Sequence, residues 1–196
     1  MRQDLTHIQQ WINRGARVLD LGCGDGEFLA ELTTARGIEG LGLEIDSAHI
    51  STALGRGLNI IEQNIDQGLE NFADNSFDTV VMAFALQAVR HPHLVLDEML
   101  RVGRECIVTF PNFGHWRCRL YLSLRGRMPV SRLLPYNWYD TPNIHFCTVR
   151  DFETLCAERR IRILRRHMLG PDKPHGILAK LWPNVFAPAA IYHITR

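Results

Sequence analysis

Three glycines at alternate positions, Gly22, Gly24 and Gly26, directly follow the short predicted strand at residues 16–21. Glycine has no Cβ atom, so a glycine backbone can turn sharply and come close to a ligand. The free N–H groups at the start of the helix that follows would suit a carboxylate. The sequence therefore predicts a ligand-binding loop here, and the alternative is a tight turn without further function.

An acidic residue, Glu44, ends the next predicted strand, about 20 residues after the loop. A carboxylate at this place can accept hydrogen bonds from both hydroxyls of a ribose. Dinucleotide-binding loops read G-x-G-x-x-G, whereas this loop reads G-x-G-x-G and carries Asp25, which would repel a pyrophosphate. S-adenosylmethionine has no phosphate and carries a sulfonium and an ammonium cation, which Asp20 and Asp25 favour. The loop and Glu44 therefore predict a site for S-adenosylmethionine or S-adenosylhomocysteine.

The elements around this loop alternate between strands and helices. The pattern predicts an α/β, Rossmann-like fold with a mostly parallel sheet and helices on both faces. Strands are predicted at residues 16–21, 40–45, 58–61, 77–84, 105–110, 161–168 and 190–195. Helices are predicted at residues 3–13, after Gly26, around residues 50–54, after His91 and at residues 151–159.

Residues 111–150 break this alternation, because they are rich in Pro, Asn, Trp, Tyr and Arg. There is no linker or repeat, so we expect one domain over residues 1–196 with an irregular insert at about 111–150. Arginines alternate with apolar residues in the insert, a pattern that fits a solvated helix with its apolar side in the core, a partner-docking surface, or a grip on an anionic substrate or membrane. These arginines are Arg117, Arg119, Arg125, Arg127 and Arg132.

Composition narrows the classes of function. The formal net charge is +1, so no overall field recruits nucleic acid. No apolar run reaches the roughly 20 residues that cross a bilayer, so no membrane association is expected. The five cysteines are scattered without a C-x-x-C pair, which favours a reducing cytoplasm. Histidines and acids show no metal-ligand spacing, so no metal is expected.

Residues 16–110 resemble the class I S-adenosylmethionine-dependent methyltransferases. The blocks at residues 110–130, 134–156 and 182–187 extend the resemblance, over nearly the whole chain, to the MetW family of methionine biosynthesis proteins. The resemblance implies that the methionine end of the cofactor is held by the loop residues Asp20, Gly22, Cys23 and Gly24. It also implies that Glu44 binds the ribose, that Ile45, Asn64 and Ile65 border the adenine, and that Ala83 lies beside the methyl group. Asn64 departs from the acid usual in the family, although its carbonyl can still accept from the adenine amino group.

The resemblance further implies a role in methionine biosynthesis, with the homoserine O-acyltransferase of that pathway as the partner of a regulatory subunit. The alternative is an active methyltransferase on a small molecule, in which the insert forms a substrate lid. A nicotinamide-dependent oxidoreductase is disfavoured by the glycine spacing. His115 is the candidate general base of a methyltransferase because it follows the fifth strand. Further candidates in the insert are Tyr136, Tyr139, Asp140 and His145.

Overall fold

The computed structural model describes residues 3–131, 133–169 and 177–196, and seven strands in them form one sheet. The strands are β1 (Arg17–Leu21), β2 (Glu39–Glu44), β3 (Asn59–Glu62), β4 (Phe77–Ala83), β5 (Gly103–Pro111), β6 (Arg162–Leu169) and β7 (Ala189–Thr195). Their order in the sheet is β3-β2-β1-β4-β5-β7-β6. β1 to β5 run parallel, while β7 lies antiparallel between β5 and β6.

Helices separate most of the strands along the chain. They are α1 (Gln3–Trp11), α2 (Glu27–Arg36), α3 (Ser47–Gly55), α4 (Pro92–Val102), α5 (Trp116–Arg125), α6 (Val149–Glu158), α7 (Ile177–Leu181) and α8 (Pro183–Phe186). Single turns of 3₁₀-helix lie at Ile65–Gln67 and Leu86–Ala88. None of the helices in the described ranges is long and apolar enough to cross a membrane.

The sheet is covered on both faces, which explains its nearly continuous apolar strands. On one face, side chains of α1 and α2, such as Ile8 and Leu29, pack against Val81 of β4. On the other face, α4 and α6 pack against β4 and β5, with Phe110 and Phe152 in contact at 4.9 Å between ring centroids. The middle residues of the central strands are consequently buried.

The order in which successive strands are added to the sheet reverses between the parallel neighbours β1 and β4. β2 and β3 follow β1 to one side, whereas β5 follows β4 to the other. At such a point the connections after two neighbouring strands diverge and leave a crevice outside their carboxyl ends, where ligands bind in open α/β sheets. The glycine loop follows β1 directly, so it lies at this crevice.

The predicted fold class is confirmed, and the predicted strands differ from the observed ones by one or two residues at their ends. The antiparallel β7 could not be distinguished by sequence from a parallel strand. Helix α5 lies inside the segment expected to be irregular, and α7 and α8 were not predicted. The helices α7 and α8 are too short to show a clear helical period.

The sheet ends in β3 on one side and β6 on the other. β3 has four residues, and β6 carries the exposed arginines Arg162, Arg165 and Arg166.

Candidate functional site

Three predicted site residues point to the same face of the sheet at its carboxyl edge. Asp20 is in register with Gly42 of β2 and with Val81 of β4. Glu44 and Ala83 lie two residues further along these strands, so their side chains share the face of Asp20. The fold thus brings together residues that are more than 60 positions apart in the chain.

The first glycine of the loop lets the chain turn back against the next strand. Gly22 has φ +73°, and the N–H groups of Gly22 and Cys23 both donate to the carbonyl of Leu43, at 2.8 and 3.1 Å. A Cβ atom on Gly22 would lie 3.2 Å from the Cβ of Ala85. The loop therefore packs closely against the segment that follows β4.

The other two glycines serve different purposes. A Cβ on Gly26 would collide with Leu58 and would lie 3.0 Å from the Cβ of Ala53, so Gly26 permits close packing of α2 against α3 and β3. A Cβ on Gly24, at φ +56°, would meet no described atom within 4 Å. Gly24 therefore borders open space, as a residue facing a ligand should.

The carboxylate of Glu44 is buried and turned towards the loop. Its side-chain oxygens accept from the backbone N–H of Gly24 at 2.8 Å, of Ile45 at 2.8 Å and of Asp46 at 3.0 Å. A carboxylate offers about four acceptor positions, so one remains for a ribose hydroxyl. Acceptance from both hydroxyls, as expected from the sequence, requires the N–H of Gly24 to give up its bond.

Asp20 is almost fully buried, with 2% of its surface exposed. Its Oδ1 atom has no hydrogen-bond partner among the described residues. Burial, and secondly the charge of Glu44, raise the pKa of Asp20 to about 7. A cation placed beside Asp20 would satisfy this oxygen and favour its ionised form, so the residues fit the ammonium group of an aminoacyl ligand.

The neighbouring Asp25 and Cys23 do not add free negative charge beside Asp20. Asp25 forms an ion pair with Arg56 at 2.8 Å, so the expectation that Asp25 helps to attract a cation is weakened. Burial, followed by the charges of Asp20 and Glu44, raises the pKa of the Cys23 thiol to about 12. Cys23 is therefore a protonated side chain that packs into the space left by Gly42.

The residues expected around adenine lie beside the loop and Glu44. Ile45 is 60% exposed directly after β2. The side-chain oxygen of Asn64 accepts from the N–H of Asp66 at 3.0 Å, so one of its two lone pairs is already used. The Cδ1 atom of Ile65 lies 3.9 Å from the Cβ position of Gly22, which brings this residue to the loop.

The segment after β4 holds residues that the sequence interpretation missed. Phe84 has φ +57°, an unusual conformation for a bulky residue, and its N–H lies within 3.1 Å of both the carbonyl and the hydroxyl of Thr109. Gln87 is 5% exposed, and its Oε1 has no partner among the described residues. The polar Gln87 within an apolar run was the only signal, because nothing about phenylalanine indicates a positive φ.

The insert is tethered to this segment by its backbone. The N–H groups of Ile144 and His145 donate to the carbonyl of Gln87 at 2.9 and 3.0 Å. The His145 ring lies 3.2 Å from the carbonyl of Arg90, whose own N–H donates to Asp66 at 2.7 Å. A chain of hydrogen bonds thus connects Asp66, beside the predicted adenine pocket, with the insert.

His115 lies directly before α5 and is 8% exposed. Burial, and secondly the charge of Arg117, lower the pKa of His115 below its ordinary value, so the ring is neutral near pH 7. The preceding Asn112 is buried and holds the segment in place, since its amide donates to Ala187 at 2.7 Å and its oxygen accepts from Gly114 at 3.0 Å. Tyr136, Tyr139, Asp140 and His145 are all exposed.

The described arginines of the insert lie at the surface. Arg117, Arg119, Arg125 and Arg127 are exposed, while Arg132 lies outside the described residues. Within those residues, no group of three or more His, Cys, Asp or Glu side chains could hold a metal ion.

The strand order, with a glycine loop after β1 and an acid at the end of β2, defines a class I methyltransferase fold. It is similar to an S-adenosylmethionine-dependent methyltransferase from Mesorhizobium loti, with a TM-score of 0.71 and 16% identity over 97% of this chain and 96% of that one. It is also similar to the magnesium protoporphyrin IX methyltransferase of Synechocystis, solved with bound S-adenosylhomocysteine, with a TM-score of 0.69 and 17% identity over 99% of this chain and 82% of that one. At these identities the likeness establishes the fold alone.

The chain belongs to the family of the methionine biosynthesis protein MetW, whose family model matches residues 2–194. It is 32% identical over 202 residues to the bifunctional methionine biosynthesis protein MetXA/MetW of Rhodopirellula baltica, covering 98% of this chain. This chain spans 32% of that relative's length. A demethylmenaquinone methyltransferase of Bacillus licheniformis is 25% identical over 182 residues, which cover 84% of this chain and 78% of that protein.

Proposed function

We propose that this protein binds S-adenosylmethionine, or S-adenosylhomocysteine, at the crevice between β1 and β4. The observation that carries the proposal is the buried, unpaired carboxyl oxygen of Asp20 beside a loop that is open at Gly24. An unsatisfied buried polar atom is costly unless a ligand supplies its partner. The ammonium group of the cofactor's methionine end has the matching charge.

Each predicted residue has a place in this proposal. Asp20 and the loop residues Gly22, Cys23 and Gly24 hold the methionine end, and Glu44 accepts from the ribose. Ile45, Asn64 and Ile65 border the adenine, while Ala83 lies beside the methyl group. The same proposal treats residues 1–196 as one cytoplasmic domain with an insert at about 111–150.

We further propose that the protein acts in methionine biosynthesis as a ligand-binding partner of homoserine O-acyltransferase. Membership of the MetW family supports the pathway. The name of the Rhodopirellula relative joins MetXA and MetW in one polypeptide, which supports a physical association between the two activities. A ligand held by one subunit changes the activity of another when its affinity differs between two states of the complex.

The hydrogen bonds between the adenine side and the insert give this regulation a physical route. The N–H of Asp66 donates to the side-chain oxygen of Asn64, and the carboxylate of Asp66 accepts from the N–H of Arg90. Three residues before Arg90, the carbonyl of Gln87 accepts from the N–H groups of residues 144 and 145. A nucleoside that shifts Asn64 would change the support of the insert. Coupling of this kind requires two discrete arrangements of the segment that carries Gln87.

The test combines binding with an assay of the partner. Calorimetry should detect binding of S-adenosylmethionine and S-adenosylhomocysteine but no binding of NAD. The acyltransferase from the same organism should co-purify with this protein, and its rate should change when this protein, with or without S-adenosylmethionine, is added. Absence of a complex together with an unchanged rate would refute the partner function. Binding of NAD without binding of S-adenosylmethionine would refute the proposed ligand.

A methyltransferase acting on a small molecule is the second candidate, and the neutral, buried His115 favours it. A neutral imidazole can take the proton of a hydroxyl or amine acceptor, while the cofactor supplies an electrophilic methyl group. Formation of S-adenosylhomocysteine with an acceptor from a panel of phenols, amines and carboxylates should then fall at least about 100-fold in His115→Ala. No turnover with any acceptor would count against an enzyme.

A further inference from the structure

Helix α5 buries little of its surface in the protein to which it belongs. Only Cys118 of its ten residues is buried. Trp116, Leu120 and Leu124 are spaced four residues apart, so they form one row along the helix, and they are 40%, 48% and 76% exposed. Among the alternatives that the sequence left open for this segment, a helix with its apolar side in the core does not fit the exposure of this row.

The exposed surface of α5 is also cationic without compensation. Between Glu105 and Asp140 the chain contains no acidic residue. The guanidinium of Arg117 lies 5.4 Å from the centre of the Trp116 ring, and that of Arg125 lies 5.1 Å from the Tyr121 ring. In the part of the chain that the structure describes, neither arginine forms an ion pair.

Exposed aromatic side chains continue in the rest of the insert. Trp138 is 74% and Tyr139 is 71% exposed. A small cavity is lined by Met128 and Pro129, just beyond α5, and by Trp138 and Phe146, so the two parts of the insert are packed together. Tryptophan, tyrosine and arginine are the residues that dominate binding energy in protein interfaces.

We propose that the α5 face, formed by the row Trp116, Leu120 and Leu124 with Arg117 beside it and Arg125 at the end of the helix, is the docking surface for an acidic, partly apolar surface of the acyltransferase. The inference rests on the proposed partner function and adds the surface that carries it. Charge complementarity selects this occupant, because a positive face is steered towards and held by negative charge. A second copy is disfavoured, since a two-fold interface would bring the same arginines against each other.

The test measures binding of the full-length protein to the purified acyltransferase by calorimetry at low and high salt. Leu124→Glu and Arg125→Glu should each weaken binding at least about tenfold, and the affinity of the unaltered protein should fall as salt rises. Leu94→Glu and Arg14→Glu are matched controls on other surfaces, because Leu94 is 51% exposed and Arg14 is exposed. Both controls should bind within about twofold of the unaltered protein. Thermal unfolding and S-adenosylmethionine affinity, unchanged in all four variants, show that the fold is intact.

The possible failures are distinguishable. If the unaltered protein binds the acyltransferase and the α5 variants bind equally well, the docking surface is wrong while the partner function stands. If the unaltered protein does not bind, the partner function fails first. Self-association that Leu124→Glu abolishes, or binding to phosphatidylglycerol vesicles that Arg125→Glu abolishes, would each assign the α5 face to another occupant and overturn the inference.

Discussion

The openness of Gly24 leads to a prediction that separates stability from ligand binding. Gly24 and Gly37 have similar positive φ values, +56° and +63°, and a Cβ on either would meet no described atom within 4 Å. Alanine in the left-handed region costs about 1–2 kcal/mol, which lowers Tm by roughly 2–8 °C in a chain of this length. Gly24→Ala and Gly37→Ala should therefore destabilise the protein equally.

Only one of the two variants should affect binding. The methyl group added in Gly24→Ala projects into the space assigned to the ligand. It lies next to the backbone N–H of residue 24, which donates a hydrogen bond to Glu44. If the added methyl group displaces the ligand at a cost of about 1.4 kcal/mol or more, the ligand binds about tenfold more weakly or worse. Gly37, at the end of α2, is remote from the crevice. Calorimetric titration with S-adenosylhomocysteine measures both variants at a temperature where both are folded. Equal affinities for the two variants would refute the placement of the ligand against the loop.

Three further predictions concern single side chains. Burial raises the pKa of Asp20 from 3.8 to about 7. At pH 6 about one molecule in ten is therefore ionised at Asp20, whereas at pH 8 most molecules are. Because the ligand's ammonium group pairs with the ionised form, S-adenosylmethionine should bind about tenfold more weakly at pH 6 than at pH 8. The same raised pKa makes the ligand-free protein lose stability as the pH rises from about 4 through 7, and Asp20→Asn should abolish both dependences in calorimetry and thermal unfolding. Glu44→Ala should lower the affinity at least about tenfold, since a hydrogen bond to a charged group contributes about 1.5–3 kcal/mol, and an unchanged affinity would remove Glu44 from the site. Asn112→Ala should cost about 3 kcal/mol through unsatisfied buried partners, lowering Tm by roughly 6–12 °C, and an unchanged Tm would show that this residue does not hold the segment after β5.

The sequence was sufficient for the class of fold and for the places of the glycine loop and of Glu44 within it. Strands that are buried on both faces appear in the sequence as long apolar runs. A position that requires a positive φ is usually occupied by glycine, so the residue type itself indicates the turn. The loop at Gly22 and the acid Glu44 were therefore identified before any geometry was known.

What the sequence could not predict depends on contacts between distant segments. The ion pair of Asp25 with Arg56 and the hydrogen bond from Gly24 to Glu44 each join residues that only the folded chain brings together. The positive φ of Phe84 depends on its bonds to Thr109 and has no counterpart in residue type. The exposure of α5 was equally hidden, because an apolar row looks the same whether it faces the core or a partner.

The two outer strands of the sheet have a consequence for how this protein can assemble. A free strand edge invites another chain to extend the sheet, and short edges or charged side chains oppose this. Here one border is the brief β3, and the other, β6, carries arginines that would repel a copy of themselves. Both edges therefore oppose polymerisation by strand pairing. Other proteins are expected to bind through contacts with side chains and not by adding a strand to this sheet.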